Sequence, residues 1–558
     1  MESTSATTTK RTRVVVAQSK RGCVTCKYGS SPFHPPAPSP ILLTGRCRTR
    51  RVKCDEQRPL CRRCIQAGRL CRGYVDRQES SLSALQPALK FGVAADRQME
   101  RLSHLAAHVL SLDSDGRPLQ GDGVWGRIFL QLSSQVECVK AAAAAFGAAY
   151  ESSLNSGAVV NSPSSSSWRY YGSALARLQS DLNGGAVGPE SLALASMILA
   201  CVEILSQHEQ NAFTHFFGAV QILTKAYQPH TSAPSAAILG RIRDELVKMN
   251  LSIGSYALAQ TPAVMHLEHQ AAAGVDREAF SDPELAINTA MSCLHQSYQF
   301  IESAARLRYT YPSWKEHDPI LCQGQSDAVN QCRSVLDGLA ALATRLQAQQ
   351  ASATSTARDS ETMAEIYAMS AQLTAALIFL LCVHEPLQTA YDGHEDLFRS
   401  IVRDAAASAR LRRRAQPSAL RRFSTRPGIV GPLFVVSAKC RDPPLRALAT
   451  TMLGEQGREG PTDGRIMAAI GARLAALEMS ACVPSVPGAP LTAGDVPESQ
   501  RVHGYGVSPP RVDGEGRRVV DVQFSRPKVP LEQGWGLVDY SCLDNWILWS
   551  EPIEISGA

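Results

Sequence analysis

The most constraining stretch of this chain reads CRTRRVKCDEQRPLCRRCIQAGRLCRGY, from Cys47 to Tyr74. Its cysteines, Cys47, Cys54, Cys61, Cys64 and Cys71, are spaced C-x6-C-x6-C-x2-C-x6-C, and a C-x2-C pair, Cys23 and Cys26, lies upstream. Thiolates at such short spacing suit a tetrahedral soft-metal site, because a short chain can wrap four of them around zinc. Six thiolates hold two zinc ions only if two of them bridge both metals. The intervening residues are rich in Arg and Lys, so the metal acts as a staple for a small basic module and not as a catalyst.

A basic run, Arg48-Thr49-Arg50-Arg51-Val52-Lys53, sits between Cys47 and Cys54, and Pro59 lies in the central loop. Together with the cysteine spacing this resembles the fungal zinc binuclear-cluster (Zn2Cys6) transcription factors, whose pattern is C-x2-C-x6-C-x5-12-C-x2-C-x6-8-C. The resemblance implies two zinc ions per module and double-stranded DNA as partner. It also implies that Arg50 and Arg51 read bases at CGG-like triplets while Arg48 and Lys53 hold phosphates. An Arg can bond the O6/N7 edge of guanine in a bidentate way, whereas phosphate contacts position a protein without reading sequence. In the family the first and fourth cysteines bridge the metals, which maps the bridge onto Cys61 and either Cys23 or Cys26.

Seven cysteines occupy a region where six are needed. Between Cys26 and Cys47 run the 20 residues Lys27–Arg46, with Pro32, Pro35, Pro36, Pro38 and Pro40 and no helical period. Proline fixes φ and removes a donor, so an extended loop is expected there. Deleting Cys26–Arg46 would leave RGCVTCRTRRVKCDE and restore C-x2-C-x6-C, so the segment reads as an insertion of the kind a retained intron leaves. Cys47 is then the second ligand, and the first is Cys23 or Cys26. A long loop between ligands is entropically tolerable, since closure cost grows logarithmically with length.

Charge is unevenly placed. Residues 1–80 hold 17 Lys and Arg against 5 Asp and Glu, while the remainder holds 40 against 46. A basic head on a mildly acidic body suggests that only the head meets a polyanion. With 44% hydrophobic and 19% charged residues, most of the 558-residue chain can bury a core. The N-terminus MESTSATTTKRTR lacks an apolar signal region. The longest apolar runs, Leu192–Val202 and Leu373–Val383, are each interrupted short of the roughly 20 residues that span a bilayer, so they read as buried helices and no membrane partner is expected. The nine cysteines outside the module lie in apolar contexts, such as Cys201 and Cys382, which suggests a reducing compartment.

The expected organisation is a disordered basic tail over 1–20, a zinc module over 21–75 with its Pro-rich insertion at about 27–46, and a polar linker over 76–95. A helical domain then runs over 96–530, and an acidic and aromatic tail over 531–558. No sustained heptad follows the module. Apolar spacing predicts helices over Arg97–Ser111, Glu190–Leu205, His208–Leu223 and Ser360–Leu387, the second and third as a hairpin, with loops at Ser162–Ser167 and Ala351–Ser360. Val520, Val522 and Phe524 alternate after Asp513-Gly514-Glu515-Gly516, a hairpin signal. The stretches Ile198–Leu223, Gly428–Ala447, Arg501–Val507 and Val519–Arg526 resemble blocks of the helical regulatory region of the same fungal regulators. The tail has acidic residues, no Lys or Arg, and Trp546 and Trp549 three apart, which predicts docking through one face of a helix; an activation segment is the other reading.

No phosphate-binding loop, dinucleotide fingerprint, HExxH or GxSxG motif occurs. His384-Glu385 and His394-Glu395 are adjacent acid–base pairs with no nucleophile to serve. Arg410–Arg414 with Arg421 and Arg422 reads as a solvated helix end. The chain is thus expected to be mostly α-helical: a small N-terminal Zn2Cys6 module, a large all-helical regulatory domain and a minor C-terminal β-hairpin. Its expected function is that of a nuclear, sequence-specific DNA-binding regulator of RNA polymerase II genes and not an enzyme. The transcription machinery and a second copy of the chain stand among its partners. A regulator with a disrupted finger, acting through its helical body alone, is the alternative.

Overall fold

The computed structural model describes residues 93–555, except 112–123, 157–165, 207, 227–232, 255–279, 353–356, 416–426, 461, 481, 483, 486–490 and 509. Among the described residues the chain order is helical up to residue 479, with only a two-residue ladder, β1 (Arg458–Glu459) with β2 (Thr462–Asp463), interrupting it.

The helical body is a succession of packed neighbours. α1 (Val93–Ser111) lies on α3 (Glu137–Ser156), which follows the short α2 (Phe129–Gln135) and also packs against α4 (Ser166–Gly184) and α5 (Pro189–Leu205). α5 begins with Pro189 at its first turn, where the missing N–H costs nothing. Every residue from Ser191 to Ile204 is buried, as its all-round apolar sequence predicts. α6 (Glu209–Ala226) returns along it as the expected hairpin, and Ser196 Oγ donates to the His215 carbonyl at 2.8 Å between them. The one charge inside α5, Glu203, is answered by His208 Nδ1 at 3.0 Å and Asn211 Nδ2 at 3.3 Å.

α7 (Ala233–Gly254) connects this half to α8 (Pro283–Ala305), which packs on α10 (Pro319–Ser352) and α11 (Ala357–Cys382); the four-residue α9 (Trp314–His317) lies just before α10. Asp282 caps α8 by accepting from the Leu285 amide at 2.9 Å, with Pro283 at the first turn. The segment Asp359–Cys382 is long and apolar enough to cross a membrane, but here it is the core helix, largely buried against α8, α10 and α12 (Glu395–Ala415). α11 stops at Cys382, five residues short of the expected end at Leu387. Pro386 disfavours a helical Glu385 before it and supplies no N–H, so the pattern ends in a turn. α10 extends to Ser352 and α11 begins at Ala357, so the expected loop at Ala351–Ser360 is narrower at both ends.

α13 (Val430–Lys439), α14 (Pro443–Glu455) and α15 (Gly464–Met479) form a compact triple that carries the C-terminal sheet. In that sheet β5 (Arg518–Pro527) is central and every pairing is antiparallel. β3 (Gly504–Val507) and β4 (Arg511–Val512) share one edge, and β6 (Trp546–Glu554) runs along the other. The hairpin expected around Asp513–Gly516 is the β4–β5 turn, with Gly516 at φ +80°. The tail docks, but as a strand. A spacing of three shares a helix face yet puts side chains on opposite faces of a strand. Accordingly Trp549 pairs with Phe524, ring centroids 5.5 Å apart, while Trp546 joins Leu531 and Tyr540 in a separate cluster after the short α16 (Leu531–Gly534). The Trp546 indole N–H donates to the Tyr540 carbonyl at 2.9 Å.

Where α1 crosses α3 the backbones come close, and a methyl on Gly147 would run into the Leu102 carbonyl. Gly147→Ala should therefore destabilise the body by about 1–3 kcal/mol through overpacking. Gly172→Ala, on the exposed side of α4 with nothing within 4 Å, should instead stabilise it by about 0.5–1 kcal/mol. Urea midpoints of the two variants measure both signs.

Candidate functional site

Every residue that the sequence assigns to zinc or DNA lies outside the described residues: Cys23, Cys26, Cys47, Cys54, Cys61, Cys64 and Cys71, and Arg48, Arg50, Arg51 and Lys53. The Pro-rich segment, the basic tail and all but the end of the linker lie there too. Among the described residues no group of three His, Cys, Asp or Glu side chains could hold a metal ion. Their nine cysteines are free thiols, six of them buried. The donor set in the undescribed stretch is all thiol, which suits zinc.

The described residues do contain a buried ionic centre, and it joins two of the stretches singled out in the sequence. α13 ends in Lys439, and Asp442 caps α14 by accepting from the Leu445 amide at 2.9 Å, which turns Arg441 and Arg446 inward. α15 carries Ile470, Leu474 and Glu478 at intervals of four, so its apolar stripe ends in a carboxylate. Glu478 Oε1 accepts from Arg441 at 2.7 Å and from the Val502 amide at 2.9 Å, and Oε2 accepts from Arg446 at 2.8 Å. The Arg441 and Glu478 side chains have no solvent exposure, and Arg446 has 2%. Both guanidiniums also donate to backbone carbonyls, of Lys439 at 2.6 Å and Ser437 at 2.7 Å. Burial alone would raise the Glu478 carboxyl, but the two guanidiniums and the Val502 amide outweigh it and hold it at about 2.

A second anchor lies alongside. Arg501 forks onto Asp392 at 2.7 and 2.6 Å and donates to the Val496 carbonyl. Glu498 accepts the amides of Gln388 and Thr389, each at 2.8 Å, and stands 2.9 Å from His503 Nε2. Burial holds His503 below its usual value, so at neutral pH this contact is not an ion pair. Lys439 is enclosed between these anchors, donating to Gln388 Oε1 at 2.6 Å with Tyr391's ring centroid 5.3 Å away. Burial, then the Arg441 and Arg308 charges, pull its ammonium down to about 7. No nucleophile completes either anchor; the arrangement holds segments together.

The remaining sequence candidates separate. His384 and Glu385 meet at 2.8 Å, whereas Glu395 pairs with Arg399 and leaves His394. Arg412 and Arg413 lie exposed at the end of α12, 3.4 and 3.5 Å from Glu459 and Glu455, as a solvated helix end should; Arg421 and Arg422 lie outside the described residues.

Against known proteins, the fungal specific transcription factor domain matches residues 117–458, more than half the chain. The chain belongs to that family. The fungal Zn(2)-Cys(6) binuclear cluster domain matches residues 45–81, a span that holds Cys47 through Cys71 and the whole basic run. The chain accordingly joins a fungal specific transcription factor domain to a stretch similar to the fungal Zn(2)-Cys(6) binuclear cluster domain, a type that holds two zinc ions. The aspercryptin biosynthesis cluster-specific transcription regulator of Emericella nidulans is 71% identical over 28 residues, 5% of this chain and 5% of that protein. No solved structure matches. The buried centre made of Arg441 and Arg446, inside the matched family domain, and Glu478, beyond its end at residue 458, escaped the sequence reading. Its signal was present in the acid that ends the Ile470–Leu474 stripe.

Replacing Glu478 by Gln should cost about 3–5 kcal/mol, because it leaves two buried guanidiniums without their counter-charge; denaturant unfolding measures it. Lys439 gives a pH signature. Its folded value lies below the ordinary 10.5, so the unfolded chain binds more protons between about 7 and 10.5, and stability should rise with pH across that window. Lys439→Met should remove that part of the slope, seen as a flatter plot of unfolding free energy against pH for the variant than for the parent.

Proposed function

We propose that this transcription factor is a nuclear regulator of RNA polymerase II genes. In this reading it binds specific sequences of double-stranded DNA through Arg50 and Arg51, while Arg48 and Lys53 grip phosphates. The observation that carries the reading is the position of the basic run: it falls inside the matched zinc-cluster segment, directly after Cys47. The excess of 17 basic over 5 acidic residues in 1–80 supports it, since a polyanion would be drawn to that end alone. Cys47, Cys54, Cys61, Cys64 and Cys71, with Cys23 or Cys26, would hold the metals. Bound zinc supplies the folding energy that so small a core lacks. The helical body serves regulation and contact with the transcription machinery, and a second copy of the chain would allow paired half-sites. It performs no catalysis. The likeness to the E. nidulans regulator supports transcription regulation and no further part of this reading.

A second reading has its own observation. The zinc-cluster match begins at residue 45, so Cys23 and Cys26 lie outside it with Lys27–Arg46 between. That supports a weakened finger, with regulation exerted through the helical body.

Fluorescence anisotropy on CGG-containing duplexes tests both. The zinc-loaded full chain should bind specifically, and Cys61→Ala or chelation should abolish binding. Arg51→Ala should cost about 1–3 kcal/mol of discrimination between matched and mismatched duplexes. Lys53→Ala should weaken all duplexes alike and lower the salt slope by about one. If binding appears only after deletion of Cys26–Arg46, the weakened-finger reading holds instead.

A further inference from the structure

Between α9, the turn that follows α11, and α16 lies a cavity of about 320 Å³, within the usual range for a small-ligand site, roughly 300–1,000 Å³. It takes in the His384-Glu385 pair and the start of the acidic and aromatic tail, and its lining shares no residue with the buried ionic centre.

Its charges do not balance. Glu316, Glu385 and Glu532 line it, against Lys315 and His384. Lys315 Nζ lies 2.7 Å from His384 Nε2, and Glu385 Oε1 lies 2.8 Å from the same nitrogen. Lys315 and Glu385 thus gather on one ring and offset each other. His384 is itself kept below its usual value by burial and by the Lys315 charge, so it adds no positive charge at neutral pH. Glu316 and Glu532 make no ion pair among the described residues. The lining therefore carries two exposed carboxylates beyond that balanced pair.

Its other wall is apolar and preformed. Leu387, Leu531 and Pro386 line it together with Trp535. The indole of Trp535 is held from two sides, stacked with Tyr540 at 6.3 Å and edge-on to Tyr311 at 6.0 Å. A fixed indole beside carboxylates attracts an organic cation through both its quadrupole and its area. A bare metal ion would gain nothing from that wall, and no described group of carboxylates and imidazoles converges to ligate one. An anion would meet the wrong sign.

We infer that this cavity is a binding site for a small organic ammonium, its charge answered by Glu316 and Glu532 and its apolar body lying against Trp535, Leu387 and Leu531. A ligand there touches the helical body and the segment leading to β6 at once, so occupancy holds α16 against α9. A free amine and a lysine side chain of a partner share this chemistry; a free amine fits whole within about 320 Å³.

The test uses the full chain, titrated with phenethylammonium and read by tryptophan fluorescence and calorimetry. Phenylacetate and 2-phenylethanol are the anionic and neutral probes of similar size, and Nα-acetyl-lysine methylamide represents a peptide source. One saturable site is expected for the amine, with about tenfold weaker binding of the alcohol and none of phenylacetate. The double variant Glu316→Gln/Glu532→Gln should lose about tenfold or more in affinity, whereas Lys315→Met should bind more tightly. A merely structural role for these residues would not produce that opposition, and the Lys315→Met gain decides the matter if the double variant is unstable. Absence of saturable binding, equal binding of phenylacetate, or unchanged affinity in a folded double variant overturns the proposal. Preference for the lysine amide overturns the free-amine assignment. No DNA enters the readout, so failure of the DNA reading leaves this result standing, and the reverse.

Discussion

A single desolvated carboxylate governs how the C-terminal third of this protein is arranged. Glu478 has no contact with water and must find its entire compensation inside the fold. It does so with two guanidiniums from the turn into α14 and one backbone amide from the segment leading into β3. Removing charges from water is expensive, so such a centre is stable only when all partners arrive in register. That requirement ties the end of α13, the first turn of α14, the last turn of α15 and the start of the sheet to one point. A hydrophobic contact would tolerate sliding by an ångström or two; this one does not. Arg501 on Asp392 repeats the device a short distance away, and the two anchors together fix the sheet to the body through polar geometry as well as through Val520, Val522 and Phe524.

The chain thus divides its electrostatics by purpose. In residues 1–80 the excess cations are unmatched within the segment and suit an external polyanion. In the body the largest buried cations, Arg441, Arg446 and Arg501, are consumed internally by Glu478 and Asp392. Net charge alone, +6 for the whole protein, hides this division.

Much of the architecture was legible because period and composition agree with packing. The apolar Leu192–Val202 run, its hairpin partner and the turn at Asp513–Gly516 each carry a local signal that tertiary contacts reinforce. What was not legible depends on partners far away in sequence. Trp546 and Trp549 fit a helix equally well by spacing, and only the presence of β5 as a template makes their segment a strand. Glu478 reads as an ordinary helical acid until Arg441 and Arg446, 37 and 32 residues earlier, are known to face it. The zinc-cluster segment was legible too, since the family match over 45–81 falls on the stretch that holds Cys47 through Cys71 and the basic run. The cavity beside Trp535 could not have been read, since its three walls come from residues 313–316, 384–387 and 531–535.

The order in which the ionic centre's members appear in the sequence has a consequence for synthesis. Arg441 and Arg446 are translated first, Glu478 next and the Val502 amide last. At roughly 5–20 residues per second, the Val502 amide follows Arg441 by roughly 3–12 seconds. During that interval α13, apolar along nearly its whole length, carries at its end cations that cannot yet enter a core. The nascent chain therefore passes through a period in which one of its most apolar helices is held in water by its own charges, and a chaperone that recognises exposed apolar helices would find its substrate there.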